Sequence, residues 1–207
     1  MELETNIEKL RELFEQFPGI GRRQAKRFVY FLIKKDTSYI QNLINEIAKV
    51  KSEVKQCSSC LRYYPKSETE STLCSLCSER EGKTIMIVEK DSDLENIERT
   101  GLYTGKYFVL KNMYSKDGNY ETLLKRLKEG KENEGLRELI FALSLKPESE
   151  HEQLRIHTFL KREFPELKIT TLGRGLSSGI ELEYSDSETL KHALTSRIEL
   201  GETKKED

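Results

Sequence analysis

The chain has 207 residues, of which 34% are charged and 36% apolar, and its formal net charge is −1. This balance excludes a uniformly basic nucleic-acid binder, and the length allows one domain or two small ones. No apolar run approaches the ~18 residues that a membrane span needs, so no membrane partner is expected.

The start, Met1-Glu2-Leu3-Glu4, is acidic and has no targeting character, which predicts a cytoplasmic protein. Residues 5–16 place Ile7, Leu10 and Phe14, with Phe17 just beyond, at the three-to-four spacing of a helix stripe. Pro18-Gly19-Ile20-Gly21 imposes a turn. A second helix is expected over 22–35, with Ala25, Phe28 and Leu32 on one face. A third is expected over 38–54, with a stripe of Ile40, Leu43, Ile44, Ile47 and Val50 or Val54.

The texture then changes. Cys57-Ser58-Ser59-Cys60 and Cys74-Ser75-Leu76-Cys77 hold all 4 cysteines of the chain. The thirteen residues between the pairs make about one short hairpin, with its tip expected at 68–72. Two CxxC knuckles at this distance can set four thiolates at the corners of a tetrahedron, which is the geometry of structural Zn²⁺. Two disulfides would need an oxidising compartment, and a redox CxxC usually occurs singly at a helix start. A four-cysteine site leaves no ligand position open for substrate, so its role is to organise the fold.

Beyond the cysteines, strands and helices alternate. Residues 84–89, 107–110, 139–143 and 168–171 read as buried strands; 91–99, 119–128 and 148–164 read as helices. That order predicts a mainly parallel sheet covered on both faces. The alternating run 180–184 reads as a half-exposed edge element, 187–194 as a closing helix, and 201–207 as a disordered charged tail.

Three segments could carry function. Between Gln16 and Lys35 lie Arg22, Arg23, Lys26, Arg27, Lys34 and Lys35 and no acidic residue. Gly19 and Gly21 allow close backbone approach, and the following helix start presents free N–H groups, an arrangement that favours phosphate. This is the pattern of a helix-hairpin-helix element binding DNA without sequence readout; the plainer alternative is a solvated helix face. The second segment is Glu89 at the end of the first strand, where α/β sheets place functional groups. Glu148 and Glu150 after the third strand are its possible partners for Mg²⁺, while Asp91 and Asp93 are read as helix caps. The third is the loop Gly173-Arg174-Gly175-Leu176-Ser177-Ser178-Gly179, which lacks a phosphate-loop fingerprint. His151, His157 and His192 show no ligand spacing.

Taken in order, these motifs resemble the bacterial RecR family of recombination mediators, from about residue 5 to residue 200. FPGIGRRQAKRF is similar to the family's helix-hairpin-helix, and the four cysteines follow at the family's position. TIMIVEKDSDLENIERTGLYTGKYFVL is similar to the start of its Toprim domain, and GRGLSSGIELEYSDSETLKHALTSR to its C-terminal signature. The stretches 111–118 and 142–150 depart from the family's usual loops. Catalytic Toprim proteins carry D-x-D where this chain has Ser144 and Lys146, which do not hold Mg²⁺.

The resemblance implies an α/β multidomain chain. Its parts are a helical helix-hairpin-helix region (1–56), a small zinc-ribbon-like motif (57–79), a Toprim-type α/β domain (80–172) and a C-terminal strand-helix segment (173–200). It implies DNA binding through Gly19, Gly21, Arg22, Arg23, Lys26 and Arg27, and one Zn²⁺ on Cys57, Cys60, Cys74 and Cys77. It also implies a non-catalytic acidic set of Glu89, Glu148 and Glu150. As function it implies a non-enzymatic, ring-shaped homotetrameric clamp that acts with RecO and RecF to help load RecA onto single strands coated by SSB. The competing reading is an active Toprim enzyme, of the nuclease, primase or topoisomerase kind.

Overall fold

The computed structural model describes residues 2–111, 119–144, 146–173, 175–176, 181–185 and 187–195. Arg174, the divergent stretch 112–118 and the tail expected over 201–207 lie outside them. The chain forms two compact units, Met1–Lys55 with Pro65–Ser67 and Gln56–Tyr64 with Glu68–Asp207.

The first unit is helical: α1 (Glu2–Glu15), α2 (Arg22–Ile33) and α3 (Thr37–Glu53). Phe14 meets Phe28 edge-on at 5.6 Å, and Ala25 and Val29 are buried, so α2 turns one apolar face to α1. Arg11 is buried in α1 beneath Glu8, Glu12 and Glu15. Asp36 caps α3 by accepting the Tyr39 N–H at 2.7 Å, two residues before the predicted start of that helix. No residue of α3 is buried, and the predicted stripe lies in the open: Ile44, Ile47 and Val50 are 53%, 62% and 60% exposed. After α3 the chain enters a two-stranded ribbon, β1 (Val54–Gln56) with β2 (Tyr63–Pro65).

The second unit holds the cysteines, a short helix α4 (Ser75–Glu79) and the predicted α/β layer. Its strands are β3 (Thr84–Val88), β4 (Lys106–Val109), β5 (Glu138–Ala142) and β6 (Lys168–Thr171), in the order β4-β3-β5-β6. All pairings are parallel, with Ile85 opposite Lys106, Thr84 opposite Glu138, and Glu138 opposite Lys168. The connecting helices are α5 (Asp91–Glu98), α6 (Tyr120–Glu129) and α7 (Pro147–Glu163), and α8 (Ser187–Thr195) follows. Alternate side chains fill two cores, as a sheet covered on both faces requires. Ile85, Ile87, Phe108, Leu139 and Phe141 pack with Leu123 and Leu127 of α6 and Ile156 and Leu160 of α7. Met86, Val88, Tyr107 and Val109 pack with Leu94 of α5. The strand order reverses beside β3, so the C-terminal ends of β3 and β5 are where sheets of this kind place functional groups.

Three local expectations change. Helix α6 runs on into a π-turn, Gly130–Glu134, closed by Gly135 at φ 65°. This turn folds Glu134 back onto Lys106 (2.9 Å) and Arg126 (2.7 Å), and Gly82 is needed beneath it because any Cβ there would overlap the Glu134 side chain. The edge element expected over 180–184 is instead a 3-10 turn at Leu182–Tyr184, closed by Tyr184 N–H to Glu181 C=O at 3.0 Å. Period-two alternation needs a neighbouring strand to become a ladder; here the backbone is satisfied locally. Finally, Asp93 accepts the Lys90 N–H at 3.1 Å and caps α5, but Asp91 does not: its carboxylate accepts the Tyr63 N–H at 2.7 Å.

Candidate metal centre and nucleic-acid interface

The two cysteine knuckles close on each other. Cys57, Cys60, Cys74 and Cys77 are all buried, and their sulfurs lie within 4.8 Å of one another. Cys60 and Cys74 Sγ are 3.6 Å apart, close to the ~3.8 Å edge of a tetrahedron built on ~2.3 Å metal–sulfur bonds. The four residues therefore fit a tetrahedral, thiophilic cation. Crowding shapes their ionisation: contacts with Cys60, then Cys74 and Cys77, hold the Cys57 thiol far below its ordinary value, while those with Cys57 above all push Cys60 far above it. Four thiols so close do not all ionise unless a cation lies between them.

Local structure sets this geometry. Leu61 N–H closes the first knuckle onto Cys57 C=O at 3.1 Å, which puts Leu61 at φ 65°. A leucine rarely takes that conformation, and its side chain is held against the α/β core. In the second knuckle Cys77 and Ser78 N–H both reach Cys74 C=O, at 3.0 and 3.1 Å. Around the thiols the polar groups are tied together. Glu68 accepts from Ser75 N–H (2.8 Å), Ser75 Oγ (2.7 Å) and Arg62. Burial opposes the Arg62 charge, yet the adjacent Cys74 and Glu68 raise its pKa. Ser58 reaches across to the Thr72 carbonyl, and Tyr64 Oη donates to Ser71 C=O at 2.9 Å. Expected only as a hairpin tip, Glu68 is the hub of this network; no spacing rule in the sequence marks it.

The module is fastened to the sheet edge. Val109 N–H of edge strand β4 donates to Cys60 C=O at 2.8 Å, which covers an edge group that would otherwise be free. Just past α4, Arg80 forks onto Glu98 at 2.8 and 2.7 Å and also reaches the Tyr103 and Gly105 carbonyls.

The hairpin is built differently. Ile20 N–H returns to Phe17 C=O at 3.0 Å, and Gly19 sits at φ 74°, where only glycine is unstrained. Gly21 has ordinary φ (−86°) and nothing within 4 Å of a Cβ position. As N-cap of α2 it supplies no side-chain cap, and the first turn holds no acidic residue, so the helix start is bare. Arg22 has one distant acid, Glu8 at 3.9 Å, and Arg27 bonds Gln24 at 3.3 Å; Arg23 and Lys26 form no salt bridge among the described residues. Arg23, Lys26, Arg27 and Lys34 line a shallow groove with Tyr30 and Phe31. The basic run indicates the cations; the two aromatics in their midst need the helical spacing to be noticed.

Glu89 lies at the C-terminal end of β3. The Ser144 N–H donates to its Oε1 at 2.8 Å, and the Ser144 and Ser149 hydroxyls lie 2.9 and 3.1 Å from the same oxygen and 2.6 Å from each other. Ser149 is fully buried at the start of α7, so Glu89 anchors the β5–α7 connection. Glu150 and Glu148 follow in α7. The only cluster of metal-binding residues among those described is the four cysteines.

A family model described as RecR, C-terminal, matches residues 175–198. The chain is 34% identical to the Recombination protein RecR of Bacteroides thetaiotaomicron over 200 residues, 92% of each chain. It is 32% identical to that of Lactobacillus helveticus over 209 residues, 97% of this chain and 100% of the relative. With that of Bifidobacterium animalis subsp. lactis the identity is 35% over 205 residues, covering 94% and 96%.

Proposed function

The chain belongs to the RecR family of recombination proteins, and from that premise we propose that it is a non-enzymatic, sequence-independent DNA-binding mediator of recombinational repair. The observation that carries the reading is the likeness to recombination proteins over nearly the whole chain. In this reading copies of the chain form a cytoplasmic, ring-shaped homotetramer. The ring acts with RecO and RecF to help load RecA onto SSB-coated single strands.

DNA meets the protein at the hairpin. Gly21 leaves the α2 start open to a phosphate, and Arg22, Arg23, Lys26 and Arg27 neutralise the backbone beside it. Replacing Arg23 and Arg27 by Ala is expected to weaken binding to unrelated sequences and to flatten the salt dependence by about one slope unit per lost contact. Fluorescence anisotropy across a salt series decides: a double variant with wild-type affinity and slope overturns the reading. Self-association is supported by the open apolar stripe of α3, where Leu43, Ile44, Ile47 and Val50 are exposed side by side along one helix. Light scattering that gives a monomer at micromolar concentration removes the ring.

The four thiolates are assigned to one structural Zn²⁺ per chain. Such a site has a formal charge of about −2, and Arg62, shared between Cys74 and Glu68, offsets part of it. Elemental analysis is expected to give one zinc per chain.

The enzymatic alternative is disfavoured by Glu89. A Mg²⁺-dependent phosphoryl transfer needs carboxylate oxygens free to hold the ion. Oε1 of Glu89 accepts from Ser144 and Ser149, no other carboxylate joins Glu89 in a metal-binding cluster among the described residues, and exposed Lys146 follows nearby. Incubation with gapped and supercoiled DNA in Mg²⁺ or Mn²⁺ is expected to leave both intact; turnover that disappears in Glu89→Ala makes it an enzyme.

A further inference from the structure

The groove on α2 is more than a row of charges. Arg23, Lys26, Arg27, Tyr30, Phe31 and Lys34 recur at steps of three, one, three, one and three, which places all six on one face of the helix. The opposite face, with Ala25, Phe28 and Val29, is committed to α1. Tyr30 and Phe31 nonetheless stay 45% and 48% exposed, in the middle of four cations. Their rings are held by neighbours: Phe31 meets Tyr39 edge-on at 6.1 Å, Lys35 Nζ lies 4.7 Å from the Phe31 centroid, and Lys26 Nζ lies 6.0 Å from that of Tyr30.

A duplex offers this face phosphates, sugars and base edges but no open base face, so two exposed rings find nothing there to stack on. A single strand offers phosphates and unstacked bases together. We infer that the α2 face is a single-strand binding groove, in which Arg23, Lys26, Arg27 and Lys34 follow the phosphates while Tyr30 and Phe31 stack on unpaired bases. The inference rests on the DNA-binding reading and sharpens it: the ligand is a single-stranded segment, such as a gap or a tail, recognised without regard to sequence because every base has a face to stack. Charge complementarity selects a polyanion for the groove, and the exposed rings select one with open bases.

The test compares three probes on the full chain: a thymidine homo-oligonucleotide, an abasic oligonucleotide of the same length, and a duplex. Tyr30→Ser with Phe31→Ser removes the rings; Tyr30→Phe with Phe31→Tyr keeps them. The serine variant is expected to lose roughly 5- to 150-fold in affinity per stacked base on the thymidine strand. It is expected to keep its affinity for the abasic strand and the duplex, its salt slope and its oligomeric state, and the ring-keeping variant is expected to behave as wild type. Equal losses on all three probes, or no loss on any, overturn the inference. So does a change of oligomeric state, which would assign the rings to contact with a second copy. The underlying reading fails separately, when Arg23→Ala with Arg27→Ala leaves all three probes bound as before.

Discussion

The four-cysteine module and the glycine hairpin are both short, polar and rich in residues that could bind something, but they are finished in opposite ways. Around the cysteines the polar groups turn inward: Glu68 gathers Arg62 and Ser75, Cys60 gives its carbonyl to β4, and Arg80 forks onto Glu98. On α2 the helix start is uncapped, Arg23 and Lys26 have no acidic partner among the described residues, and two aromatic rings face water. Buried polar groups have to find partners where they lie, as Glu68 and Ser75 do, whereas exposed groups such as those of α2 are satisfied by water and stay accessible to a ligand.

The sharpest way to break this contrast is to remove one thiol, or any metal that the four thiols hold. Structural zinc sites supply about 10–16 kcal/mol of apparent binding free energy in small peptides, and that energy is folding energy. Cys60→Ser or chelation is expected to unfold residues 57–79 and to release the Val109 amide, read as lost hydrogen-exchange protection at β4. The α2 groove should keep its salt slope if the two regions are independent in function, and a parallel loss would make the module part of the interface.

A smaller effect is expected at Glu89. Glu89→Ala removes the acceptor of the Ser144 amide and one of the partners of the buried Ser149 hydroxyl, and should cost about 1–3 kcal/mol in chemical denaturation. A metal-binding carboxylate behaves oppositely, since removing one from an acidic site relieves repulsion and tends to stabilise the apo protein.

The two hairpin glycines separate fold from binding within five residues of chain. Gly19→Ala forces a side chain into the left-handed region and should destabilise the first unit by about 1–2 kcal/mol. Gly21→Ala meets open space at ordinary φ and should cost less stability, only the difference between Gly and Ala as N-cap, while weakening DNA binding. Thermal melts paired with anisotropy distinguish the two; equal losses of stability would mean that Gly21 also serves the fold.

The mildest test is acid. Burial raises the pKa of Glu98 and of Glu134, but Arg80 and Tyr107 on the first, and Lys106 and Arg126 on the second, outweigh it and hold both below 4.5. A carboxyl depressed in the folded state stabilises above its unfolded pKa, and that contribution is lost as pH falls through the folded value. The second unit should therefore lose stability below about pH 4.5, and Glu98→Gln should flatten that part of the profile. An unchanged slope would show that the Arg80–Glu98 fork adds little.

Much of this was legible in the sequence because it is carried by neighbours along the chain. Continuous apolar runs such as 84–88 imply strands buried on both sides, CxxC spacing fixes which sulfurs can converge, and Pro18-Gly19-Ile20-Gly21 admits little but a tight turn. What depended on distant partners was not legible. Asp91 reads as a helix cap until Tyr63, 28 residues earlier, presents its N–H. Nothing near Glu89 in the sequence shows that Ser144 and Ser149, 55 and 60 residues away, hydrogen-bond its carboxylate. The stripe on α3 reads as buried, yet it is open because nothing in the first unit covers it. Periodicity and spacing report the local geometry of a chain; whether a polar group is satisfied or an apolar face covered is decided by which surfaces the fold brings together, and that information is spread over the whole sequence.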